Sequence, residues 1–293
     1  MSSPAQQFRD YLLLMRLDRP VGIWLLLWPT LWGLWFAAEG FPGVHVLAVF
    51  LAGVVLMRSA GCAVNDAADH DIDPQVRRTR ERPVASGRVR VGDALRLAVV
   101  LALIAFGLLT SLRNTLAILL SVPAVILAAV YPLMKRIMPM PQAILGLAFS
   151  WGIPMAYAAV RGTVPWGEAL WLMAATSCWV IAYDTAYAMA DKAEDLKLGV
   201  RSSAILFGRF DALAVAVFNG LAVLLLAGFG MAQGRGSAYL VGLLFALAWV
   251  LQGQRQLMRG GADQAFAVFQ RSHWLGAMVF LGLWLDFTLD AYG

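Results

Sequence analysis

The sequence predicts an all-α membrane protein, a bundle of about nine transmembrane helices with its N-terminus in the cytoplasm. Three observations lead there. The 293 residues are 60% hydrophobic and only 14% charged, with a mean hydropathy of +0.70, far from the balance of a water-soluble domain. The apolar residues fall in runs long enough to cross a bilayer. The cations are divided unequally among the connections between those runs.

The runs lie near residues 21–38, 44–64, 93–111, 115–132, 141–160, 166–188, 211–231, 237–252 and 274–290, the eighth being the shortest. Crossing about 30 Å of hydrocarbon takes roughly 20 helical residues. Each run must be helical, because a strand open to lipid leaves its peptide groups without partners. The 11 Trp, 15 Phe and 27 Gly suit such a bundle, with aromatics at the interfaces and glycine where helices approach closely.

Assigning alternate connections to opposite sides gives one side every Lys and Arg except four: Arg58, inside a run, and Arg113, Arg161 and Arg235. By the positive-inside rule that side is cytoplasmic and the C-terminus lies outside. The formal net charge of +5 then reflects topology and contact with anionic membrane lipid, and no nucleic-acid partner is expected. Cys62 and Cys178 fall within apolar runs at no ligand or redox spacing and read as buried apolar residues. The opening residues lack the charged-then-apolar pattern of a removable leader, so none is expected. Residues 1–293 read as a single transmembrane domain. Two long connections, about 69–92 and about 191–210, share the predicted cytoplasmic side, and function is expected there.

Each of those connections is introduced by acids. In the first, Asn65, Asp69 and Asp73 recur every fourth residue ahead of Pro74, a spacing that lines them along one helix face. In the second, Asp184, Tyr187, Asp191 and Asp195 share a face in the same way. Carboxylates gathered at helix C-termini repel one another and meet the negative end of the helix dipole, so they need a positive counterpart. An all-oxygen set without His or Cys favours a hard cation. Mg²⁺ suits best, since it takes few carboxylates and shares its other positions with water and phosphate. The pattern predicts a metal-bridged diphosphate, with Arg77, Arg78, Arg80 and Arg82 as phosphate donors. Ordinary solvated carboxylates are the competing reading, but two clusters ending two membrane helices on one side weigh against it. Asp66, Asp71 and Glu194 project elsewhere on their helices, either supporting the ligand set from behind or merely solvated. His45, His70 and His273 have no spacing for a metal site, and His70 is expected in solvent.

The segments NDAADHDID at 65–73 and DKAED at 191–195 resemble the paired motifs of the UbiA superfamily of intramembrane prenyltransferases. RLDRPVGIWLLLWPTLWGLW at 16–35, RSAGCAVND at 58–66, YPLMKR at 131–136 and KLGVRSSAILFG at 197–208 resemble its 4-hydroxybenzoate polyprenyltransferase branch. Arg19 departs from the lysine common there, keeping the charge but changing the donor geometry. The resemblance implies a central cavity roofed by the two aspartate-bearing loops. It implies Mg²⁺ held by Asn65, Asp69, Asp73, Asp191 and Asp195, with polyprenyl diphosphate bridging, Arg82 and Lys135 on the phosphates, and Tyr131 and Arg136 beside them. The implied reaction is Mg-dependent transfer of a polyprenyl group to the ring of 4-hydroxybenzoate, ortho to the phenol, with release of diphosphate. It is a step of ubiquinone biosynthesis at the bacterial inner (plasma) membrane, with the active site facing the cytoplasm. Other acceptors (a dihydroxynaphthoate, homogentisate, chlorophyllide or haem) remain open, as does a secondary transporter.

In that chemistry metal ions and Arg or Lys donors stabilise the leaving diphosphate. Trp24, Trp28, Tyr183 and Tyr187 could wall the site and face the allylic cation, plain packing being the alternative for each. Arg16, Arg58 and Arg136 are candidates for the acceptor carboxylate. Arg58 lies inside an apolar helix, with Asp184 as its alternative partner. Asp191 could also orient or deprotonate the phenol, and Asp184 and Lys192 complete the expected substrate-binding group.

Overall fold

The computed structural model describes residues 3–291, which form helices joined by irregular loops. In chain order the helices are α1 Pro4–Leu14, α2 Val21–Ala38, α3 Val44–Ala68, α4 Val91–Thr110, α5 Thr115–Ile137, α6 Gln142–Ser150, α7 Gly152–Arg161, α8 Trp166–Leu198, α9 Ser203–Phe207, α10 Asp211–Ala232, α11 Ser237–Leu257, α12 Ala262–Arg271 and α13 His273–Asp290. Eight stretches among the described residues are long and apolar enough to cross a membrane, with α6 and α7 counting as one of them. The 33-residue α8 is the ninth long helix. It carries the second acidic cluster and is not among the eight.

The outer faces show the solvent this chain is built for. Leu103, Leu119, Leu224 and Leu244 are exposed, on helices α4, α5, α10 and α11. Apolar surface of that extent belongs against lipid. Inside, Trp32, Trp179, Tyr157 and Tyr239 are fully buried. Helix α8 packs against α10, α6 and α12, α2 against α7 and α13, and α3 against α4.

Three local departures from the sequence reading shape the site. Helix α8 runs on to Leu198 and stops at Gly199, whose φ of 68° is left-handed, so Asp191 and Asp195 sit on a rigid overhang and not in a loop. Helix α3 instead ends at Ala68, short of Asp69 and Asp73. The spacing still holds for one more turn, because Asp69 N donates to Asn65 O at 3.0 Å and Asp73 N to Asp69 O at 2.8 Å. Beyond it Pro74 has no N–H to continue the ladder. The third departure is α12, which was not expected; Gly260 and Gly261, with φ of 76° and 96°, turn the chain out of α11 and into it.

Helices α11 and α13 meet at paired glycines. A Cβ on Gly242 would lie 2.7 Å from Met278 O and 2.9 Å from Gly282 Cα, so only backbone fits at this contact. Gly242→Val should destabilise the chain by about 1–3 kcal/mol, seen as a lower Tm in detergent. Gly107→Ala, where nothing lies within 4 Å of the added Cβ, should leave the Tm unchanged.

Candidate active site

The two acidic segments face one cavity of about 590 Å³, a size suited to a small-molecule site. Asn65, Asp69, Asp73, Asp184, Tyr187, Asp191 and Asp195 all line it. Its deeper walls are apolar, with Leu25, Phe50, Val54, Leu145 and Phe149 among them. The greasy interior suits the tail of an amphiphilic ligand, and Arg78, Arg82 and Lys135 stand among the acids at the rim, where an anionic head would lie.

Every acid but one at the rim is held by a neighbour. Asp69 forms an ion pair with Lys135 and accepts from Asn65 Nδ2 at 3.0 Å. Asp73 accepts from Arg82 Nη1 at 2.9 Å. Asp191 accepts a two-pronged contact from Arg78, with Nε at 2.7 Å and Nη2 at 2.5 Å. Burial pushes the Asp69 carboxyl up, and the Lys135 ammonium offsets only part of that shift. On the α8 overhang beyond the membrane-spanning part, burial and the nearby Asp191 push Asp195 up to about 7. In contrast, the hydrogen bond from Arg136 holds the exposed Asp71 below the usual carboxylate range.

These residues fit a divalent cation by their chemistry. All the donors are oxygens, as a hard ion requires. Asp69 Oδ1 and Asp66 Oδ2 are buried without a hydrogen-bond partner, which is costly unless something else satisfies them. Among the described residues, however, no three carboxylates stand close enough to hold one ion together. Asp69, Asp73 and Asp191 are drawn toward Lys135, Arg82 and Arg78 respectively.

The structure separates the expected binding residues into two groups. Arg58, Arg82, Tyr131, Lys135 and Asp184 line the cavity with the acids, as does Arg16. Arg16 is nonetheless committed, its Nη2 lying 2.6 Å from Asp66 and its Nη1 donating to Leu13 O at 2.9 Å. Arg136 is not part of the cavity lining; it donates to Asp71, at 2.6 and 3.1 Å, and to Ala68 O at 2.8 Å. Lys192 points the other way around α8, to Gly208 O at 2.6 Å and Asp211 at 2.7 Å. Trp24 and Trp28 are also absent from the wall and stack on each other at 5.7 Å, whereas Tyr183 and Tyr187 line it.

Arg58 stands apart. Its one hydrogen bond among the described residues goes to Cys62 Sγ at 3.0 Å, and Nε has none; no hydrogen bond or ion pair joins it to Asp184. Its guanidinium lies 5.8 Å from the centre of the Phe149 ring and fills the space beside Gly22, where a Cβ would come within 2.6 Å of Nη2. Gly22 thus clears the position that this cation occupies.

Two features escaped the sequence reading. Asp66, expected to project elsewhere, is buried and lines the cavity between Arg16 and Arg82, the latter at 3.4 Å. Phe266, Phe269 and Gln270 bring α12 to the same wall. The i, i+3 pair of phenylalanines in ADQAFAVFQR was the available signal.

Residues 26–281 match the model of the UbiA prenyltransferase family. The chain belongs to the UbiA prenyltransferase family. Its UbiA relatives include a protein of Dechloromonas aromatica named 4-hydroxybenzoate octaprenyltransferase, 49% identical over 99% of this chain and 98% of that one. A protein of the same name from Nitrosospira multiformis is 50% identical over 98% of each. The apo structure of a UbiA homolog from Aeropyrum pernix K1 superposes with a TM-score of 0.78 at 27% identity, covering 92% of this chain and 98% of that one. A UbiA homolog from Archaeoglobus fulgidus, described as bound to GPP and Mg²⁺, shares the fold at a TM-score of 0.68 and 16% identity, over 92% and 99% of the two chains.

Proposed function

We propose that this chain transfers a polyprenyl group from its diphosphate to the ring of 4-hydroxybenzoate, ortho to the phenol, as a step of ubiquinone biosynthesis. The observation that carries the reading is the pairing of two acidic faces at the rim of one cavity with an uncommitted arginine, Arg58, in its apolar wall. The relatives at about half identity, named 4-hydroxybenzoate octaprenyltransferase, support the same acceptor. The asymmetry of the cations supports a site on the cytoplasmic face, at the inner membrane.

In the reaction the allylic C–O bond to diphosphate breaks, a C–C bond forms at the ring carbon ortho to the phenol, and that carbon loses its proton. Mg²⁺ held by Asn65, Asp69 and Asp73 on one side and by Asp191 and Asp195 on the other would supply Lewis-acid neutralisation of the leaving diphosphate. Lys135, Arg78 and Arg82 bring N–H donors to the same rim, where negative charge develops. Tyr183, Tyr187 and Phe269 exclude water and turn ring faces toward the allylic cation; the Tyr187 and Phe269 centroids are 4.8 Å apart. Arg58 takes the acceptor carboxylate, which fixes which edge of the ring meets the prenyl carbon. Arg16 and Arg136 are already paired with Asp66 and Asp71, which favours Arg58 for that role.

The test is an acceptor panel. Purified chain in liposomes, given Mg²⁺, labelled polyprenyl diphosphate and each acceptor in turn, should yield prenylated 4-hydroxybenzoate, identified by product mass. Prenylation of a dihydroxynaphthoate or homogentisate but not of 4-hydroxybenzoate would reassign the substrate. No prenylated product from any acceptor would remove the enzymatic reading.

A further inference from the structure

Arg78 has the most constrained position of the cations at the rim. It leaves the first loop and reaches α8, where its fork takes both oxygens of Asp191 at 2.7 and 2.5 Å. Its guanidinium lies in a notch between two rings, 4.4 Å from the centroid of Tyr187 and 4.4 Å from that of Phe266. The rings are 6.3 Å apart and inclined at 60°. Tyr187 belongs to α8 and Phe266 to α12, so one side chain ties together the first loop, the second acidic helix and a surface helix from near the end of the chain.

This arrangement suits arginine in particular. The planar guanidinium stacks on rings and grips a carboxylate with two parallel N–H groups, which lysine cannot do. Cation–π contact in a partly buried site adds to the attraction. While the grip lasts, both oxygens of Asp191 carry a hydrogen bond and keep only their remaining lone pairs for a metal. A divalent ion seeking Asp191 must compete with a guanidinium already seated there.

Resting on the metal–diphosphate reading above, we propose that Arg78 is a resident counter-cation that holds Asp191 until metal and diphosphate bind, and that Phe266 is a positioning residue holding it there. Release of Asp191 frees the guanidinium N–H groups for an anion, so a diphosphate arriving with the metal gives Arg78 a new partner. Metal alone offers none. Metal and diphosphate therefore bind with positive coupling, and by linkage each strengthens the other equally. The aromatic notch on α12 sets how strongly Arg78 resists the exchange.

The test uses the full chain in detergent, with bound Mn²⁺ read by electron paramagnetic resonance at matched free Mn²⁺, with and without inorganic pyrophosphate. The parent should bind Mn²⁺ about tenfold more tightly when pyrophosphate is present. Arg78→Lys keeps the charge but loses the fork and the stacking, and Phe266→Leu keeps every charge. Both should bind Mn²⁺ alone several-fold to about tenfold more tightly than the parent and show weaker coupling to pyrophosphate. Phe266→Leu should add nothing in an Arg78→Lys background, which separates positioning from general loosening of the fold. Arg96→Ala, removing an exposed cation at the start of α4 that takes no part in the rim, should bind like the parent. Parent-like or weaker Mn²⁺ binding in Arg78→Lys and Phe266→Leu, with the pyrophosphate effect intact in all three, would overturn the counter-cation role alone. No Mn²⁺ binding by any of them under either condition would overturn the metal reading with it.

Discussion

Replacing Asp69 or Asp191 by Ala should lower Mg²⁺-dependent prenyl transfer by about 10²–10³-fold or more, while the chain still inserts and purifies as a folded protein. Asp69 is 2% exposed and carries a buried oxygen with no partner. Its loss removes an anionic donor from the cation site and leaves Lys135 without its carboxylate. Asp191 → Ala likewise leaves Arg78 unpaired on the opposite side. Both lie at the rim of the cavity and outside the packed seams between spans, so catalysis should fail before folding does. Asp71→Ala is the contrasting variant: Asp71 is exposed and faces Arg136, outside the cavity, and its activity should stay within a few-fold of the parent, as expected of a solvated ion pair. Rates from product mass, set beside gel-filtration profiles, decide the matter. Near-parent rates for Asp69→Ala or Asp191→Ala would contradict the site.

Arg58→Ala should raise the KM for 4-hydroxybenzoate by about 10- to 100-fold with little change in the KM for polyprenyl diphosphate. A charged hydrogen bond to the acceptor carboxylate is worth that range of affinity in a site shielded from water. The split between the two substrates is the decisive feature, since a structural role for Arg58 would disturb both. Gly22→Val should give the same split, because its side chain would displace the guanidinium. Initial rates with each substrate varied in turn check the prediction, and an equal rise in both KM values would count against it.

The spans were legible because lipid makes every backbone group pair within its own helix, so hydropathy and length nearly suffice. The acidic rim was legible because charge at a membrane helix end is costly and needs a purpose. What periodicity could not show was pairing across the chain. Asp66 was assigned away from the site by its angle on α3, yet Arg16 and Arg82, from elsewhere in the sequence, draw it in. Arg136 was a candidate for the acceptor carboxylate and Lys192 for substrate binding, but Asp71 and Asp211 hold them outside the cavity lining. Helix α12 was missed because a ten-residue amphipathic segment is too short for a hydropathy signal and owes its place to packing on α8.

Both acidic faces should grip one diphosphate, and a non-hydrolysable polyprenyl thiodiphosphate tests this with Mn²⁺ as the paramagnetic ion. Its phosphorus resonances should broaden on the parent chain, and affinity should fall at least about tenfold in Asp73→Ala and in Asp195→Ala alike. Parent-like affinity and broadening in either variant would show that only one of the two faces holds the pyrophosphate.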